Sequence, residues 1–289
     1  MWILFTLLAA FSQAWRNALQ SQLSAHASTA SVTLARFLFA VPLAALYLCV
    51  VNLHAPAGLP NWHSAFPFYV VGASVMQIIA TALMVVLFKQ NNYAVGAGLA
   101  KSEALVAAVL GVLFFGSHLS LLGWAGVFIG AIAVLLLSGA SVRQLRLNTA
   151  LIGLASGCSF ALTSLWVREA SLTTQLPFPH SAAWVLLCVL LCQTVILSIY
   201  LSYREPSAWL TLWRQRKLTV AISVTSCIGS IGWFSAMSLE HVAYVKTLGQ
   251  VEVFFTLLIS FFWLKTAVKV RDSLGLILIA IAAALVMLT

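Results

Sequence analysis

Charge is what this sequence has least of. Only 7% of its 289 residues are Asp, Glu, Lys or Arg, against 62% that are hydrophobic. That leaves too little polar surface to coat a water-soluble globule, and it implies an integral membrane protein. Cysteine is scarce too. Cys49, Cys158, Cys188, Cys192 and Cys227 all fall inside apolar segments, where a cysteine is ordinarily a small hydrophobe, so neither a disulfide framework nor a metal site follows. No basic leader precedes the apolar run from Trp2 to Gln20, which therefore reads as a first helix and not as a signal peptide. His-Glu-x-x-His, Gly-x-Ser-x-Gly and paired-acid metal motifs are missing, as is a soluble sensor domain. The chain is not expected to be an enzyme, and no metal or cofactor is expected.

What is present is a succession of apolar runs. They are about 18 to 24 residues long, the length of a helix crossing a hydrocarbon core and about twice that of a barrel strand. The expected fold is an all-α membrane protein of ten transmembrane helices. They run from Trp2 to Gln20, Ala30 to Val51, Ala65 to Phe88, Asn92 to Gly116 and Leu121 to Ser138. The second five run from Ala150 to Glu169, Ser181 to Leu201, Leu218 to Leu239, Val242 to Leu264 and Asp272 to Leu288. Between the seventh and eighth, Trp209 and Trp213 mark one side of a short interfacial helix.

Two of the runs carry charges inside them. Lys101 and Glu103 lie between Asn92 and Gly116, and Lys246 and Glu252 lie between Glu240 and Leu264. The two stretches align without a gap at a shift of about 149 residues. In that register Ser117 falls on Thr266, Gly126 on Gly275, Ala131 on Ala280 and Ile132 on Ile281. More weakly, Leu7 to Trp15 lies over Leu154 to Leu162, with Ser12 on Ser159 and Ala14 on Ala161. The chain is thus read as a duplication, residues 1–142 and 143–289, each half a five-helix repeat within one integrated membrane domain. Five is odd, so the second copy enters the membrane upside down and the repeats have inverted topology.

Loop charges agree with the inversion. Lys89, Arg143, Arg146, Arg204, Arg214, Arg216, Lys217, Lys265, Lys269 and Arg271 would face one side, and only Arg168 the side of both termini. By the positive-inside rule both termini are expected outside the cytoplasm. The net charge of +9 then reports topology, and no nucleic-acid partner is expected.

Ions at mid-membrane cost at least about 2.5 to 3.5 kcal/mol each on insertion scales, so they need partners or a wet cavity. Lys101 and Glu103, two residues apart, point to different sides of a helix and are poorly placed to pair with each other. Cross-helix pairs of Lys101 with Glu252 or Lys246 with Glu103 would bridge the repeat interface, where inverted-repeat carriers bind substrate. Lys246 and Gln250 share a helix face, as do Gln77 and Thr81 on the third helix; Ser226, Ser230, Trp233 and Phe234 follow helical spacing on the eighth. Substrate binding is accordingly expected at Gln77, Thr81, Lys101, Ser230, Trp233, Lys246 and Gln250, with Glu103 and Glu252 as proton-coupling group or charge anchor. Glu252 is expected to carry the proton, because Val251, Val253 and Phe254 should desolvate it. Arg16 is expected to snorkel to the interface, whereas Arg36 either snorkels or points inward. Arg168 and Glu169 are expected to pair with each other at the interface.

Mixed charge with amide, hydroxyl and indole groups suits a zwitterionic or anionic organic metabolite such as an amino acid. A quaternary amine or cationic drug held on Trp and Tyr faces is the alternative. A non-transporting receptor or assembly subunit is the alternative of another class.

Between Leu99 and Gly116, and between Leu248 and Lys265, the chain resembles the ten-helix EamA-like branch of the drug/metabolite transporter (DMT) superfamily. That branch often reads Leu-Glu-Pro, then small and apolar residues, then Gly-Glu; its first acid matches Glu103 and Glu252. Ala104 and Val253 replace the proline, and Ser117 and Thr266 the second acid. The resemblance implies secondary active transport, as efflux by an exporter in a bacterial inner membrane. Helices one to four and six to nine would surround a central cavity, with five and ten peripheral. It implies alternating access, a small-molecule substrate, protons and the lipid bilayer as partners, and termini inside, against the loop charges.

Overall fold

The computed structural model describes residues 1–89, 100–137, 147–262 and 270–288, and every regular element among them is helical. The first half contains α1 (Trp2–Ser24), α2 (Thr29–Phe37), α3 (Ala40–His54), α4 (Phe66–Phe88), α5 (Glu103–Phe114) and α6 (Leu121–Leu137). The second contains α7 (Leu147–Thr173), α8 (His180–Arg204), the short α9 (Ser207–Arg214), α10 (Arg216–Leu239), α11 (Val242–Leu248), α12 (Glu252–Phe262) and α13 (Val270–Met287). Residues 92–99, Arg143, Arg146, Lys265, Thr266, Lys269 and Thr289, and the side chains of Arg271 and Asp272, lie outside the described residues.

Six helical stretches are long and apolar enough to cross a membrane: Thr29–His54, Phe66–Phe88, Leu147–Thr173, His180–Arg204, Arg216–Leu239 and Val242–Ile259. Helix α1 has the length, but Gln13, Arg16, Asn17 and Gln20 dilute its apolar character. The molecule is turned inside out relative to a soluble protein. Leu113, Phe114, Phe68 and Leu4 are exposed, whereas Arg16, Arg36, Gln77, Gln193, Lys246, Gln250 and Glu252 are buried. A broad apolar exterior of this kind fits a lipid surrounding.

The second expected helix is broken in two, because Pro42 offers no N–H to the carbonyl of Leu38 and its ring crowds that carbonyl. Side chains from the other half satisfy the groups freed there. Phe39 N donates to Ser223 Oγ at 3.2 Å, Ser223 Oγ donates to the Ala35 carbonyl at 2.6 Å, and Thr194 Oγ1 donates to the Phe37 carbonyl at 3.4 Å. The break lets α2 end with Arg36 in its last turn, facing inward. At the end of α5, Gly116 adopts φ +61° and the Ser117 N–H returns to the Gly111 carbonyl at 2.9 Å, a closing turn that glycine makes without steric cost.

Packing follows a rule of exchange between the halves. Helix α1 packs on α10 and α4 on α7; α3 packs on α8, α5 on α11, and α6 on α13. With the spanning helices matched in the register read from the sequence, exchanging the two sets returns these five pairs. Across the α4–α7 contact Ser156 Oγ donates to the Ala80 carbonyl at 3.0 Å.

Candidate functional site

A turn in one half and a 3₁₀ turn in the other bring the charges together. Lys101 and Ser102 form a turn and Glu103 opens α5; in the other half Gly249–Val251 is a single 3₁₀ turn and Glu252 opens α12. Each carboxylate thus lies in the first turn of its helical segment, where the helix dipole favours negative charge. The sequence periodicity predicted an unbroken helix from Val242 to Leu264, since nothing in it marks the 3₁₀ turn.

Both cross-helix pairs are present: Lys101 Nζ pairs with Glu252 Oε2, and Lys246 Nζ lies 3.4 Å from Glu103 Oε2. Each pair joins one half to the other. The two carboxylates are unequally served. Glu252 also accepts from Gln13 Nε2 at 2.5 Å and from Asn17 Nδ2 at 2.8 Å, whereas Glu103 has Lys246 as its one side-chain partner among the described residues. This departs from the expectation that Val251, Val253 and Phe254 leave Glu252 in an apolar setting. Chain neighbours on a helix point elsewhere, and Phe254 is 40% exposed on the outside of the bundle.

An amide and an indole join the two pairs. Trp233 Nε1 donates to Gln13 Oε1 at 2.9 Å, and Lys246 Nζ stands 4.3 Å from the centroid of the Trp233 ring. From Glu103 the contacts run through Lys246, Trp233, Gln13 and Glu252 to Lys101 without a gap.

Arg16 does not snorkel. Helix α1 continues to Ser24, about two turns past it, so the guanidinium is 3% exposed inside the bundle and donates from Nη2 to Asn17 Oδ1 at 2.9 Å. Arg36 points inward as well, at 2% exposure, donating to Thr81 Oγ1 at 2.7 Å and Ser226 Oγ at 3.2 Å. Arg168 ignores Glu169 and caps the end of α10, donating to the carbonyls of Met237, at 2.8 Å, and Glu240.

These groups surround a narrow cleft, part of it open to solvent. Helix α1 contributes Gln13, Arg16 and Asn17; α7 contributes Phe160, Thr163 and Ser164. The register that superposes Ser12 on Ser159 places these triplets over one another, so extending it by two residues would have singled out the cleft face of both helices. Gln77, Lys101, Glu103, Ser230, Trp233 and Lys246 also line the cleft. Thr81 stands behind Arg36, and Glu252 is reached through Lys101, Gln13 and Asn17.

Gln250 is turned away. Its side chain packs against Gly130 of α6, where a Cβ would meet Oε1 at 2.4 Å, and neither amide atom has a hydrogen-bond partner among the described residues. The 3₁₀ turn advances each residue by about 120° where an α-helix advances about 100°, so Gln250 leaves the face of Lys246.

No model of a known protein family matches the chain, and no curated protein does. Solved structures do. One crystal structure superposes with a TM-score of 0.73 at 17% identity, covering 99% of this chain and 96% of that one. At that identity the likeness shows the fold alone, and it extends over both halves. Nothing in it assigns a role to the cleft residues, whose chemistry rests on their own geometry.

Proposed function

We propose that the protein is a ten-helix, inverted-repeat secondary carrier of the EamA-like kind, exporting a small anionic organic metabolite such as an acidic amino acid by alternating access. The observation that carries this reading is the pair of Lys–Glu contacts, each linking one half to the other at a turn beside a polar cleft. Such an interface gives two rocking halves matched contacts to break and re-form around a central site. The exchange rule in the packing, the apolar exterior and the six long apolar helices all support the reading. Trp233 speaks against the quaternary-amine alternative, because its face is already occupied by the Lys246 ammonium.

Protons are the coupling ion in this reading, carried by Glu103, which has one partner, while Glu252 with its three donors anchors the site. The protein sits in a bacterial inner membrane with both termini extracytoplasmic, following the loop cations. Two measurements test it. Purified protein in proteoliposomes should accumulate radiolabelled amino or organic acids under an imposed proton gradient, and a failure across the panel returns the receptor or assembly-subunit reading. A reporter fluorescent only in the cytoplasm, fused after Thr289, should stay dark; bright signal reverses the orientation.

A further inference from the structure

We infer that the cleft is selective for a net anion, a small organic carboxylate held by the guanidinium groups of Arg16 and Arg36. The inference rests on the cleft being the substrate site proposed above. Charge balance carries it. Arg16, Arg36, Lys101 and Lys246 face Glu103 and Glu252, an excess of two cations among the described residues.

The two lysines use both carboxylates. Among the described residues the arginines have only neutral hydrogen-bond partners: Asn17 for Arg16, Thr81 and Ser226 for Arg36. Arg16 Nε is buried with no partner among the described residues. An arginine keeps its charge in a protein interior, so this excess is not relieved by losing a proton.

Buried, uncompensated cations in a low-dielectric space are unfavourable unless an anion joins them. A carboxylate matches the planar fork of a guanidinium and can take two donors at once. Thr81 and Ser226 fix Arg36 through Nη1 and Nε, which leaves Nη2 to reach a ligand oxygen. A zwitterion would add a third positive centre near Lys101 and Lys246 without reducing the excess, and a cation would increase it.

The test uses the full chain in detergent and in proteoliposomes. Thermal stabilisation and counterflow are measured with acetate, lactate, succinate, malate and glutarate, with the corresponding amides, and with alanine, choline and chloride. Carboxylates should stabilise the protein while amides, alanine and choline do not. Arg16→Gln and Arg36→Gln should each weaken carboxylate binding about ten- to a hundredfold, the range expected for a lost charge-assisted contact. Arg36→Lys should keep part of it, which separates a lost charge from a misfolded site. Equal binding of amides or choline, arginine variants that bind as the wild type does, or no binding by any carboxylate overturns the inference even if transport of another substrate is found. Chloride alone stabilising the protein overturns it likewise. If carboxylates bind but none crosses the membrane, the anion site stands and the carrier reading falls.

Discussion

Trp233 donates its indole N–H to Gln13 Oε1 at 2.9 Å, and this fixes the orientation of the Gln13 amide. The indole is a donor only, so Oε1 must face it and Nε2 must face Glu252, as found at 2.5 Å. One neutral side chain from α1 thereby couples the anchoring carboxylate to the ring on which Lys246 rests.

Gln13→Leu keeps the volume and removes both contacts. It leaves the indole N–H without its acceptor and the carboxylate one donor short, a loss of about 1–3 kcal/mol for a buried group left unsatisfied. The expected result is a lower melting temperature in detergent together with weaker ligand binding. If neither changes, the amide is not a link between the two ion pairs.

Gly232 lies where α10 meets α1. A Cβ there would stand 2.6 Å from the Phe5 carbonyl oxygen and 2.9 Å from Ala9 Cβ, and backbone cannot swing aside as a flexible side chain can. Gly232→Ala should destabilise by about 1–3 kcal/mol through overpacking. Gly58, with nothing within 4 Å, is the control: Gly58→Ala should leave the thermal transition unchanged.

Accessibility separates the residues that line the cleft from those beside it. In a background with all five cysteines replaced, Gln77→Cys, Ser230→Cys and Trp233→Cys should react with a small hydrophilic thiol reagent. Gln250→Cys, facing Gly130, should not. Labelling of Gln250→Cys at the rate of Ser230→Cys would put the site on the wrong face of α11 and its 3₁₀ turn.

How legible was this in the sequence? The all-helical class was, because apolar runs of spanning length leave little choice, and so was the cross-helix pairing of Lys101 and Glu252, because Lys101 and Glu103 diverge on any helix. The break before Pro42 could have been read from the proline, and without it Arg36 could not be placed. Arg16 was missed for a different reason. Helix α1 continues through Ser21, Gln22 and Ser24, polar residues that end an apolar run but not a helix packed against α10. Gln13, Asn17, Thr163 and Ser164 are polar residues on apolar helices, and only the superposition of the two halves distinguishes their face. Gln250 failed because a 3₁₀ turn leaves no trace in hydrophobic spacing.

The two glutamates are equivalent by repeat and unequal by surroundings, and their variants should fail in different ways. Glu252 is 2% exposed and holds Lys101, Gln13 and Asn17, so Glu252→Gln leaves a lysine without its counter-charge. Removing one partner of a buried pair costs about 3–5 kcal/mol, and the expected outcome is a clear fall in melting temperature. The swap Lys101→Glu with Glu252→Lys should recover part of that loss, because the pair is restored with its sense reversed. Glu103 has Lys246 alone among the described side chains, at 3.4 Å, and Lys246 retains the Trp233 face when the carboxylate is gone. Glu103→Gln should therefore lower the melting temperature by less than Glu252→Gln does, lose accumulation driven by a proton gradient, and keep substrate exchange, which needs no net proton movement. If Glu103→Gln accumulates substrate with wild-type pH dependence while Glu252→Gln is folded and uncoupled, the roles of anchor and proton carrier are the reverse of those proposed. If both keep wild-type pH dependence, neither carboxylate couples transport to protons and the two ion pairs serve only to hold the halves together.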